Sequence, residues 1–260
     1  GLKPPKATSQ IVQRDRHAHY VTTLAIMAGS LERFATEVRN LQRTEVLEVE
    51  EPFRAGQRGS SAMPHKRNPM TCERITGLAR IVRSYAMPAL ETMAMWHERD
   101  LTNSSVERII LPDSSILMDY MLRKLTEVVS SMVVYPDHMR ANLDQLKGLI
   151  YSEHVMLALV DKGMDKEAAY RAVQAVAMRA FESQQDFQEL LAQEPSVTAR
   201  LSGEQLAACF DAQRHLRHLD RVYQRVQLGR DCEQIPGWPV YGEDAGESSE
   251  VSDAALEELE

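Results

Sequence analysis

The chain has 260 residues, enough to bury a substantial core in one large or two smaller domains, and its net charge of −8 is unevenly spread. Residues 229–260 hold ten acids against one base, which leaves residues 1–228 near neutral and gives no electrostatic case for a nucleic-acid partner. Cys72, Cys209 and Cys232 are odd in number and lack CxxC spacing, which argues against a disulfide framework or a zinc site.

Twelve glycines, thirteen methionines, few aromatics and abundant Ala, Leu, Glu and Arg favour helix over sheet, so an all-α fold is expected. No apolar run approaches the roughly 18 residues needed to span a bilayer and no signal peptide opens the chain, so a cytoplasmic protein with no membrane partner is expected. The chain opens on Gly1 with Pro4 and Pro5 close behind, which reads as a start other than the natural one. From Arg14 to about Val49 no proline intervenes, and Leu24, Ala28, Leu31, Ala35, Val38 and Leu41 recur at helical spacing, predicting one long helix with a single apolar stripe.

A polar, proline-bounded loop follows, GSSAMPHKRNP at 59–69. A second helix is expected from Glu73 to about Met95, kinked or ended by Pro88, and then a polar stretch, WHERDLTNSSVERIILPD at 96–113. A third helix is expected over 114–134, and Pro136 restarts the chain into a shorter fourth. Beyond Gly148 the elements shorten: 149–162 stopped by Gly163, a helix capped by Asp165 to about Ser183, and a capping box at Ser202 and Gln205. These signals divide the chain into a long-helix bundle at 1–147, a small helical domain at 148–228 and an acidic, disordered tail at 229–260.

The loop at 59–69 carries the densest chemistry. Lys66 can pair with a carboxylate, Asn68 can donate to an oxygen that gathers charge, and Ser60 or Ser61 can take a proton where cations and backbone N–H groups stabilise the alkoxide. Residue types alone favour a polar surface turn between two helices. Arg99 and Arg108, with Ser104 and Ser105, make a plausible phosphate cradle, or else pair with Glu98 and Glu107 on a helix surface. His17 and His19, two apart, point to different helix faces and make a poor metal pair. His97 lacks a second histidine four residues on. His215 and His218 read as surface residues, and Cys72 as a buried bystander.

The order of these residues adds to their types. GSSAMPHKRNP resembles the signature loop of the fumarase/aspartase superfamily, and the wider match is closest to its adenylosuccinate lyase family. The supporting stretches are TSQIVQRDRHAHY at 8–20, the loop and its continuation to Arg74, WHERDLTNSSVERIILPD, and GLIYSEHVMLALVDKGMDKEAAY at 148–170. The similarity runs over about 1–228. It implies a carbon–nitrogen lyase that eliminates fumarate from succinyl-AMP, and from the succinylated aminoimidazole carboxamide ribotide, without metal or organic cofactor. It implies Ser60 as general base, Lys66 and Asn68 steadying the aci-carboxylate, and Glu73 orienting a catalytic histidine. Gln10, Ser61 and Arg67 fall among its substrate binders, with Arg99, Ser104, Ser105 and Arg108 on the nucleotide side. The resemblance further implies a homotetramer whose active sites are shared between subunits. The family's general-acid histidine matches no position here, and the match covers the C-terminal three-fifths of a usual family chain. A truncated, inactive fragment and a carboxymuconate cycloisomerase-like enzyme are the alternatives. The arginines and paired serines of 96–113 suit a phosphorylated nucleotide better than a muconate.

Overall fold

A computed structural model describes residues 3–53, 56 and 62–226. The chain divides into two compact units between Gln145 and Leu146.

In the first unit, helix α1 (Asp15–Leu41) turns one apolar stripe inward, with Leu24, Ala28, Leu31, Ala35 and Val38 all buried as their spacing predicts. Against it lie α2 (Met70–Ser84) and α4 (Thr102–Ser131); α3 (Ala86–Glu91) packs beside them. Cys72, Ile75, Ala79 and Val82 of α2 and Met118, Met121, Leu125 and Val128 of α4 complete the main core. Burying such side chains contributes about 1.5–3 kcal/mol each. A smaller cluster of Ala18, Val21, Ala89 and Ile110 fastens the other end of α1 to α3 and α4. Arg83 pairs with Glu32 between α2 and α1.

Three expectations about boundaries need correction. Helix α1 stops at Leu41 rather than near Val49, because β-branched Thr44, Val46 and Val49 favour extension and Leu47 adopts φ 43°. The chain then forms a two-residue strand, β1 (Val49–Glu50), antiparallel to β2 (Val133–Val134), a ribbon that periodicity over so few residues does not reveal. The second predicted helix breaks at Tyr85, ahead of Pro88, giving α2 and α3.

The third starts twelve residues earlier than expected, so two thirds of the polar stretch is helical. The Asp100 carboxylate accepts from the backbone N–H and hydroxyl of Thr102 at 2.9 and 2.6 Å, and buried Asn103 donates to the Thr92 carbonyl at 2.9 Å. These contacts start the helix, and it runs on through Pro112, which is exposed while Ile110, Ser114 and Met118 on the opposite face are buried. Helix α5 (Pro136–Asp144) opens at its proline as predicted.

In the second unit a 3₁₀ turn (Leu149–Tyr151) leads into α6 (Ser152–Asp161) and α7 (Lys166–Ser183). Four short helices follow, α8 (Phe187–Ala192), α9 (Pro195–Thr198), α10 (Gly203–Ala207) and α11 (Gln213–Leu216), then α12 (Leu219–Arg225). Asp165 caps α7 by accepting from the N–H groups of Glu167 and Ala168, and Ser202 and Gln205 form the expected capping box. Phe187, Val155, Leu159, Val176 and Leu191 centre this unit's own core. His215 and His218 are exposed, as expected, and the His215 ring stacks on His154 at 4.6 Å. The acidic tail, with Cys232, lies outside the described residues.

Candidate active site

Where α1 ends and α2 begins, the β1–β2 ribbon and the loop at 62–69 enclose a cleft of about 860 Å³. Its walls carry Arg39, Asn40 and Arg43 from the end of α1, Glu50 from β1, His65, Lys66, Arg67 and Asn68 from the loop, and Glu73 from α2. Four of these side chains are cationic and two are carboxylates, so the cleft favours an anion. Lys66, Arg67, Asn68 and Glu73, spread over eight positions of sequence, are thus brought together. Ser60 and Ser61 lie outside the described residues.

The loop is held from behind. Glu51 is 4 % exposed, and its carboxylate accepts from the N–H groups of Thr71 at 2.9 Å and Cys72 at 3.0 Å, in the first turn of α2. The Glu51 N–H donates to Gln42 Oε1 at 2.9 Å, and Gln42 Nε2 donates to the Arg67 carbonyl at 3.2 Å. Glu50, next along the strand, takes the Tyr135 hydroxyl and lies 3.4 Å from the Arg67 guanidinium, which also sits 5.3 Å over the Phe53 ring. The carboxylate of Glu50 holds the Tyr135 hydroxyl above its ordinary range, chiefly through that hydrogen bond. Burial, and then the neighbouring charge of Glu51, push the Cys72 thiol up to about 12. That thiol is buried and protonated at neutral pH, so it is no nucleophile.

The other sequence-derived residues sit elsewhere. Gln10 is exposed in the segment before α1, Arg99 lies just ahead of α4, and Ser104, Ser105 and Arg108 occupy the first two turns of α4. Near them Arg14 Nε lies 2.5 Å from the Glu107 carboxylate, in ion-pair reach though not aligned as a hydrogen bond, and its Nη1 donates to the Val12 carbonyl at 2.8 Å. Glu107 therefore pairs across to Arg14. Helix α1 has 27 residues and is about 40 Å long, with these groups at its start and the cleft at its end. No side chain bridges that length, so within one chain the two groups of sequence-derived residues stay apart.

Sequence reading passed over Arg39, Arg43, Gln42, Glu50 and Glu51. The pair Arg39 and Arg43 was legible as two cations one turn apart on the first predicted helix; the others act through contacts far along the chain. Among the described residues, no three His, Cys, Asp or Glu side chains are grouped to hold a metal ion, and no helix is long and apolar enough to cross a membrane.

A family model described as "Lyase" matches residues 1–84, and one described as "Adenylosuccinate lyase C-terminus" matches residues 148–226. The adenylosuccinate lyase of Synechocystis sp. is 53% identical over 229 residues, which cover 88% of this chain and 53% of that protein. The adenylosuccinate lyase of Bacillus subtilis is 50% identical over 228 residues, with the same shares covered. The chain belongs to the adenylosuccinate lyase family. It spans about half the length of the curated relatives it matches. Among solved structures, the 3-carboxy-cis,cis-muconate lactonizing enzyme from Pseudomonas putida superposes with a TM-score of 0.73 at 32% identity, over 83% of this chain and 47% of that one. That lactonizing enzyme shares this helical architecture, and the higher identity lies with the adenylosuccinate lyases.

Proposed function

We propose that this chain supplies the base-bearing and carboxylate-binding part of an adenylosuccinate lyase, which eliminates fumarate from succinyl-AMP and the succinylated aminoimidazole carboxamide ribotide in cytoplasmic purine biosynthesis. The observation that carries the reading is the cationic cleft that gathers Lys66, Asn68 and Glu73 with Arg39 and Arg43. Ser60 takes the Cβ proton of the succinyl group. The electron pair moves into the adjacent carboxylate, where Lys66 and Asn68 meet the growing charge, and the Cα–N bond then breaks to give fumarate. The leaving nitrogen takes a proton from an acid that the family resemblance assigns to a histidine with no matching position in residues 1–260. Arg99, Ser104, Ser105 and Arg108 hold the phosphate end of the nucleotide. No metal or organic cofactor enters this scheme.

The separation of the two residue groups along α1 fits a homotetramer whose sites combine the cleft of one copy with the α4 segment of another. The test is fumarate release from each purine substrate by the chain, alone and co-assembled with the segment of the Bacillus subtilis relative that precedes the matched region. Ser60→Ala is expected to abolish turnover and spare substrate binding. A co-assembled protein that releases no fumarate would sink the reading, and turnover of a carboxymuconate in its place would favour the cycloisomerase.

A further inference from the structure

Two buried polar side chains, Gln42 in the cleft wall and Glu51 behind it, have no part in the scheme above, yet they grip the loop on both sides of Asn68. A carboxylate as buried as Glu51 persists only where its charge is met. It is met by two N–H groups at the start of α2, which carry the positive end of the helix dipole. The usual side-chain cap of a helix comes from the N-cap position, but that position is Pro69, which has no side-chain cap hydrogen bond. Here the acceptor arrives from 20 residues upstream, and its own backbone is tied through Gln42 to the carbonyl of Arg67. The stretch from Lys66 to Pro69 is therefore pinned on one flank at Arg67 and on the other at Thr71 and Cys72. The two ties join at one residue, Glu51, through its backbone N–H and its carboxylate, so Lys66 and Asn68 are held against a fixed frame of α1, β1 and α2.

We propose that Glu51 and Gln42 are positioning residues that set the geometry of Lys66 and Asn68 towards the bound carboxylate. The proposal rests on the reading of Lys66 and Asn68 as carboxylate binders, and its test separates the two. In the co-assembled enzyme, Glu51→Ala is expected to lower kcat by about 10²-fold, the scale of a misplacement near 1 Å, with a smaller change in KM. Glu51→Gln keeps one acceptor oxygen and should recover part of that loss, and Gln42→Ala should fall between. Thermal melts of each variant separate misplacement from unfolding. Amide exchange on the millisecond scale in the unmixed chain supplies a readout independent of turnover, with faster exchange expected at Lys66 and Asn68 in Glu51→Ala and Gln42→Ala. Folded variants with unchanged kcat, or unchanged exchange at Lys66 and Asn68, overturn the positioning role. An unsubstituted protein that turns over neither purine substrate overturns the functional reading instead, and the exchange data still decide the positioning role.

Discussion

Cys72 shows how one buried group couples the cleft wall to solution conditions. Its thiol is raised from an ordinary 9.0 to about 12, so the folded chain keeps a proton that the unfolded chain gives up. The stability this confers is full below pH 9 and is lost as pH climbs towards 12. Urea midpoints measured across that window should fall less steeply for Cys72→Ala than for the unsubstituted chain; parallel slopes would show that the thiol does not titrate there. Burial raises the Cys209 thiol as well, so both should resist alkylation at neutral pH until the chain unfolds. The burial of Cys72 was readable from its residue type and from the apolar spacing of α2. The carboxylate beside it was not, because Glu51 lies 21 residues away and reaches Cys72 only through the turn after α1. The same holds for Lys66 and Asn68, which the motif marks out, whereas Gln42 carries no local signal of its tie to Arg67.

Among the elements, those with local punctuation were legible and those decided by tertiary packing were not. Asp165, Ser202 with Gln205, and Pro136 each start a helix where expected, because a cap or a fixed φ acts within a few residues. Helix α4 overran its expected start because the contact of Asn103 with the end of α3 and the burial of Ile110 against α1 and α3 are non-local. Gly148, at the entry to the second unit, adopts φ 87°, and a Cβ there would lie 2.9 Å from Phe210 Cε1. Phe210 packs with Tyr151 and Phe187 at centroid distances of 5.3 and 6.0 Å, so it cannot yield freely. Gly148→Ala is expected to cost about 1–3 kcal/mol, the range for a non-glycine residue in that backbone region. Urea denaturation of the chain reads this directly, and an unmoved midpoint would refute the clash.

At the scale of the molecule, the bundle unit keeps large apolar side chains in solvent. Ile26 and Phe34 of α1 are 73% and 62% exposed, and Ile116 of α4 is 65% exposed. Covering such surface contributes roughly 25 cal/mol per Å², so self-association is expected. Sedimentation at micromolar concentration checks it, with a clean monomer as the contrary result.

The length of α1 has a genetic consequence on the reading proposed above. A copy damaged at the end of that helix, as by Lys66→Ala, and a copy damaged near its start, as by Arg108→Ala, lack different halves of each composite site. Expressed together, the two defective alleles should restore part of the activity that neither gives alone, because some mixed assemblies join an intact cleft to an intact α4 segment. Two alleles damaged in the same half, such as Lys66→Ala with Asn68→Ala, should give no such rescue.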